Sequence, residues 1–349
     1  MRIDAFIDQP NHKRLKRACT LAEIAGFDGI TIPEITNDPF ISAAIAADAT
    51  EKVDVRTGIA VAFPRSPMNV ATSAWQLHEN SAGRFVLGIG TQVKGHIERR
   101  FSTAWTKPYP RLRDYVWALR AIWASWQDKQ PLNFTSDNYA HTLMTPEFAP
   151  KPSTYGPIPI HTAAVRPAML RLAGRVSDGV RLHGFCTRMY LDDVVLPNLQ
   201  AGLDRVDRER ETFEVCGGGF IATGPDEEAV AKRVEWVRYR LAFYGSTRTY
   251  SPVLEAHGWH DLGAELHAMS KQGRWAEMAA RIDDDVVRQF TAVATFENLA
   301  AEVERRFAGL TDRIDLFAPA DEKEAATLAD VLDDIRRLPR RYKGLVSEA

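Results

Sequence analysis

Cysteine is scarce in this chain: Cys19, Cys186 and Cys216 are the only three in 349 residues, far apart and without CxxC spacing. An odd, scattered set gives no disulfide framework and no thiolate zinc site. Buried, inert thiols in a reduced, cytoplasmic protein are the expectation. A dominant charge is lacking too. The 44 Lys and Arg against 46 Asp and Glu leave a formal net charge of −2, so no nucleic-acid partner is expected. No apolar run reaches 18 residues, and Met1 to Arg17 has no signal-peptide core, so neither a membrane partner nor a secretory leader is expected. Ser66, Ser73 and Ser81 stand outside any G-x-S-x-G, and there is no P-loop. His141, His257 and His260 have no carboxylate or cysteine placed to complete a metal set.

What remains is an ordinary globular composition, 45% hydrophobic and 26% charged, carrying a rhythm of strands and helices. The stretch Arg84 to Val93, RFVLGIGTQV, is a short apolar strand running into a glycine-spaced turn. Similar strands begin near residues 2, 28 and 53, with a helical pattern in each gap. Third in this series is Val53 to Val61, read as one strand. After a long amphipathic helix, Arg111 to Trp126, the segment 131–157 reads as a small hairpin and a long loop. Short units resume with strands at Ile158 to Ala163, Gly179 to Leu182 and Phe213 to Ala222. Residues 246–281 break the pattern and read as an inserted helical lid, and Asp312 to Phe317 is the eighth strand.

Eight strand–helix units predict an α/β (β/α)₈ TIM barrel, a single domain over residues 1–349 with insertions after strands four and seven. A two-domain doubly wound protein is the competing architecture, but no linker-like composition divides the chain.

In such a barrel the working residues sit at the carboxyl ends of the strands. Those ends supply Glu34, Ala60 and Val61, Gly90, Thr91 and Gln92, Ala163, Ala164, Val165 and Arg166, and His183. Small residues there let a flat ring lie against backbone. Arg166, before Pro167 at a helix start, could hold an anion with the free N–H groups of that helix. Lys94, His96, Arg99 and Arg100 follow strand four and either steer an anionic tail or form a solvated basic face. Asp38, beside Pro39, reads first as a helix N-cap. Glu34 has two readings: an acid in contact with ligand, or a structural partner of a cation such as Arg65.

Five motifs together resemble the luciferase-like flavin and deazaflavin oxidoreductases. They are GFDGI (26–30) with Glu34, TGIAVAFPRSP (57–67), SAGRFVLGIGTQV (81–93), HTAAVRPAM (161–169) and AGRVSDGV (173–180); VATFENLAAEVERRF (293–307) adds to them. The form RSPM…GRFVLGIGTQV…HIERRFS is most similar to the actinobacterial enzymes that use coenzyme F420. The resemblance implies a ring bound at the strand ends against a non-proline cis peptide after strand three, expected at Ala60-Val61. It implies an oxidoreductase passing hydride between F420 and a small organic substrate. Glu34 and His96 are its catalytic candidates, and the other strand-end residues named above are its coenzyme contacts. An FMN-dependent monooxygenase and a catalytically inactive flavin-binding barrel are the alternatives. A homodimer is the expected assembly. Where the family often has Gly-Pro after strand five, this chain has Arg166-Pro167, which leaves open whether a tail phosphate lies on bare backbone or on Arg166.

Overall fold

The computed structural model describes residues 1–345. Eight parallel strands close into a barrel: β1 (Arg2–Phe6), β2 (Gly29–Ile32), β3 (Asp54–Thr57), β4 (Phe85–Gly90), β5 (Ile160–Ala164), β6 (Gly179–Leu182), β7 (Glu214–Gly217) and β8 (Arg313–Phe317). Each pairs with its sequence neighbours, and β1 against β8 completes the ring, Arg2 opposite Arg313 and Phe6 opposite Phe317. Helices fill the crossovers. His12–Ala25 ends at Gly26 in the left-handed conformation, and Pro39–Ala49 starts on an Asp38 cap whose carboxylate accepts from the N–H groups of Phe40 and Ile41. No helix among the described residues is long and apolar enough to cross a membrane.

Alternation along the strands sends aliphatic residues outward to the helices and, unusually, charge inward. On β1, Ile3 and Ala5 are buried against the helical layer while Asp4 points into the barrel. Branched aliphatic layers usually fill this space. Here Asp4, Arg56, Arg181, Glu214 and Arg313 fill it instead. Arg313 donates to Glu214 Oε1 at 2.9 Å and to Asp54 Oδ2 at 2.8 Å, and contacts Asp4. Arg56 reaches Glu214 Oε2 at 2.9 Å. Such a network adds little net stability over an apolar core, yet removing one member costs roughly 3–5 kcal/mol because its partner stays buried and charged. Burial works against the charge on Glu214, but Arg313, Arg56 and His161 outweigh it and hold the carboxyl well below its ordinary range.

Two expected strands come apart. The third stops at Thr57 and resumes as the two-residue Ala60–Val61, which pairs with β4. The cis peptide lies between them, at Gly58-Ile59, two residues before the position expected at Ala60-Val61. Only glycine fits at 58, since a Cβ there would stand 2.3 Å from Thr31 Cγ2. The seventh strand stops at Gly217. Gly217 and Gly218 have φ of 80° and 98°, and the chain leaves the barrel there. Phe220–Gly224 then pairs in parallel with Thr291–Thr295, a strand outside the eight of the barrel.

The segment 131–157 holds the expected hairpin, Phe134–Thr135 against Ala140–His141. Residues 246–281 are helical over Ser251–Ala256, His260–Lys271 and Trp275–Met278. Their buried Val253, Leu254, Leu266, Met269 and Met278 join the apolar cluster that includes Phe185, Leu241 and Phe290.

Candidate active site at the barrel mouth

All eight strands run the same way, so their carboxyl ends form one mouth. On the β3–β5 side its floor is built from Ile59, Gly90 and Ala163. A Cβ on Gly90 would lie 2.8 Å from Ile59 Cδ1 and 3.0 Å from Ala163 Cβ, so Ile59, Gly90 and Ala163 already touch as one low surface. The demand at Gly88 is stricter: its Cβ would stand 2.0 Å from the Thr57 carbonyl. Both glycines of the LGIG run are therefore demanded by packing, Gly88 against backbone and Gly90 against the Ile59 and Ala163 side chains at the strand ends.

The bulge after β3 is clasped from outside. Val61 N–H donates to Glu34 Oε2 at 2.7 Å, and Arg65 Nη1 donates to both Glu34 oxygens, at 3.0 and 2.7 Å, and to the Val61 carbonyl at 2.9 Å. The other Arg65 nitrogen reaches Asp38 at 2.8 Å. Only 6% of the Glu34 side chain is exposed. Both of its oxygens therefore accept from donors. The structure gives this residue its structural partner, and geometry offers no free acid here. Ala60 and Val61 are buried within the clasped loop, behind the surface made by Ile59.

Beyond β4, Thr91 and Gln92 are half-buried, and Gln92 has φ 58° with its Oε1 accepting from Val93 N–H. His96 lies exposed on the short helix Lys94–Arg99, and Arg99 and Arg100 are exposed as well. Arg100 donates to the Ile35 carbonyl at 2.8 Å, which ties it to the β2 loop. At the end of β5, Ala163 and Val165 are half-buried and Ala164 buried, and Tyr190 Oη donates to the Val165 carbonyl at 3.1 Å. Arg166 is the exposed N-cap residue of Pro167–Val176, and its side chain is not used in capping. It borders a cleft of about 590 Å³ shared with Arg248, Ser251, Glu255, His260 and His267 from the inserted helices. His267 Nδ1–H donates to the Ser246 carbonyl at 2.8 Å and fixes that ring.

His183, after β6, accepts a hydrogen bond at Nδ1 from Phe185 N–H at 2.9 Å, which leaves its proton on Nε2. Tyr244 meets it edge-on at 4.2 Å between centroids and Tyr250 lies at 4.8 Å. Burial, aided by the nearby Arg240 guanidinium, pushes its pKa down to about 4, so it is a neutral N–H donor.

Sequence reasoning missed the opposite wall. Trp236, Arg240 and Tyr244 stand four apart on the helix Glu227–Gly245 and so share one face. Trp236 packs edge-on against Phe317 (5.3 Å) and Phe220 (6.2 Å), and Arg240 lies over Trp236 at 5.0 Å. Asp8, just past β1, belongs to this group. The residue is exposed at the mouth, and partial desolvation of its carboxyl raises its pKa above the ordinary 3.8, although Arg240 and a hydrogen bond from Asn37 pull the other way. The available signal was its place: Asp8 is a carboxylate at the end of the first strand, where Glu34 is at the end of the second.

The buried trio His161, Glu214 and Cys216 has donor atoms within 4.8 Å of one another. Both Glu214 oxygens are already taken by Arg313 and Arg56, so the trio is part of the charged core, with no carboxylate free to receive a cation.

Residues 2–313 match the family model described as luciferase-like monooxygenase. An uncharacterized protein of Mycobacterium tuberculosis is 42% identical over 339 residues, covering 97% of this chain and 98% of its own length. The 5,10-methylenetetrahydromethanopterin reductase of Archaeoglobus fulgidus is 26% identical, covering 88% of this chain and 90% of its own. Among solved structures, the coenzyme F420-dependent tetrahydromethanopterin reductase of Methanopyrus kandleri superposes with a TM-score of 0.77 at 18% identity, covering 96% of this chain and 98% of that one.

Proposed function

The chain belongs to the luciferase-like monooxygenase family, and from that premise we propose that it passes hydride between coenzyme F420 and a small organic substrate at the barrel mouth. The observation that carries this reading is the close packing of Ile59, Gly90 and Ala163 at the strand ends, an apolar surface that would support a flat ring and that any larger side chain at 90 would disrupt. When bound, the deazaflavin supplies a ring carbon that gives or takes hydride. The protein's part is to bind, orient, exclude water and handle protons.

Each part has residues placed for it. Glu34 and Arg65 hold the bulge that carries Ile59. The cleft bordered by Arg166 and Arg248 suits an anionic tail and supports the reading in which Arg166 holds the phosphate. His183 offers a neutral Nε2–H donor to a ligand oxygen. Trp236 and Tyr244 wall the mouth against water. Asp8, exposed just past β1 beside Asn37 and Arg240, is placed to hold the proton that accompanies hydride transfer at an Oδ atom, and partial desolvation of its carboxyl raises its pKa.

The test is turnover. Reduced F420 incubated with the protein and a panel of small carbonyl, imine and alkene compounds, with oxidised F420 and alcohols for the reverse direction, should show coenzyme interconversion at a rate that depends on protein. Oxygen-dependent turnover with reduced FMN, and none with F420, would replace this reading with the monooxygenase one. Binding without turnover of either would favour the inactive barrel.

A further inference from the structure

The charged core is not equally sealed throughout. Arg313 and Asp4 have 0% side-chain exposure and Glu214 1%. One pair stands above them: Arg181 on β6, in contact with Asp315 on β8, with side-chain exposures of 10% and 25%. Arg313 and Glu214 are the first residues of β8 and β7, whereas Asp315 and Arg181 lie two residues further along β8 and β6, toward the mouth, with Asp4 opposite Asp315.

Arg181 also lies against the inner side of the bulge. A Cβ on Gly58 would lie 3.6 Å from its Nε and 3.7 Å from its Nη2, so the guanidinium lies directly under the first residue of the bulge. Its compensation is thin. Arg313 has three carboxylates within reach, Asp4, Glu214 and Asp54. Arg181 has Asp315, with Asp4 no closer than 4.0 Å. Asp315 Oδ1 is itself buried without a partner among the described residues.

We propose that Arg181, oriented by Asp315, is the positioning charge beneath the bound ring that favours its reduced form over its oxidised form. The inference rests on the F420 reading above. Hydride transfer breaks a substrate C–H bond and forms a ring C–H bond. Two electrons and one proton move, the ring gains one negative charge, and the oxidised substrate gives up a proton to a base such as ionised Asp8. A buried cation beneath the bulge would attract that new charge with little solvent between them. The Arg181–Asp315 pair thus sets how strongly the protein holds the coenzyme in each state.

The test compares dissociation constants for oxidised and reduced F420, measured separately under anaerobic conditions, in wild type, Arg181→Gln, Arg181→Lys and Asp315→Asn. Arg181→Gln should weaken reduced coenzyme about tenfold more than oxidised, equivalent to a fall of about 30 mV in the potential of the bound two-electron couple. Asp315→Asn removes the counter-charge and should move the ratio the opposite way. Arg181→Lys should stay near wild type. A merely structural role would weaken both forms together in all three variants, and that result, or an unmoved ratio, overturns the inference. If Arg181→Gln does not fold, the sign of the Asp315→Asn change decides alone. Wild-type protein that binds neither form overturns the coenzyme reading and this one with it; wild-type binding with unmoved ratios overturns this one only.

Discussion

At the scale of single residues, Glu34 and Asp8 look alike in sequence and differ in what surrounds them. Both follow a barrel strand. Glu34 meets Arg65, 31 positions away, and the Val61 N–H, contacts that no local pattern reveals. Asp8 meets Asn37 and the Arg240 guanidinium from a helix more than 200 residues on. The two variants should therefore behave differently. Asp8→Asn is expected to leave coenzyme affinity near wild type and lower kcat by ~10²–10⁴-fold. Where Asp8 acts as acid, activity is full while it is protonated and falls as pH rises through its raised pKa, so the variant should lose that limb of the kcat–pH profile. Glu34→Gln is expected to keep the profile, weaken coenzyme binding, and lower stability by about 1–3 kcal/mol, because it leaves Arg65 short of its partner. A lost pH limb in Glu34→Gln with an intact one in Asp8→Asn would reverse the two roles.

At the scale of elements, most of the barrel was legible because each unit has its own local signal. The His12–Ala25 helix and the Gly179–Leu182 strand fall where periodicity and flanking residues place them. The sites where local reading failed are sites where backbone conformation overrides side-chain pattern. VDVRTGIAV reads as one strand until Gly58 breaks it. FEVCGGGFIA reads as one strand until two glycines at positive φ turn it out of the barrel. The Trp236–Arg240–Tyr244 face was visible as a four-residue spacing, but its facing the mouth depends on how the long helix packs. Arg181 carried a signal as well: it is a charge at an inward position of GVRL, where a barrel normally places an aliphatic residue. The inserted segment 246–281 is more firmly packed than a loose lid, with Leu254, Leu266 and Met269 buried. Ligand-dependent protection in hydrogen exchange is therefore expected at its cleft edge, around Arg248 to Ser251 and His260, and not at the amides near Leu266. Uniform protection changes over the whole segment would mean that it moves as a lid.

For the whole molecule, the charged barrel core and the histidines set the response to acid. His183 is held neutral with a pKa of about 4 and His161 with a pKa of about 3, both mainly by burial, with cations nearby adding to it: Arg240 for His183 and Arg56 for His161. Their folded values lie below the unfolded value of 6.5. Between these values the unfolded chain binds more protons. This contribution to stability is thus complete above pH 6.5 and is lost as pH falls toward 4 and 3, by up to about 1.4 kcal/mol per pH unit for each histidine. Urea unfolding at pH 7 and pH 5 should show this loss, and His183→Gln should lessen it; a variant as acid-labile as wild type would remove His183 from the account.

The central claim is that F420 lies on the floor formed by Ile59, Gly90 and Ala163, and one titration tests it most directly. Purified wild type and Gly90→Val, each checked for fold by circular dichroism, are titrated with F420 and with FMN. The account predicts saturable F420 binding by wild type, weaker or absent FMN binding, and loss of at least ~100-fold in F420 affinity in a folded Gly90→Val. Unchanged F420 affinity in that variant, or tight FMN binding with none for F420, would contradict it.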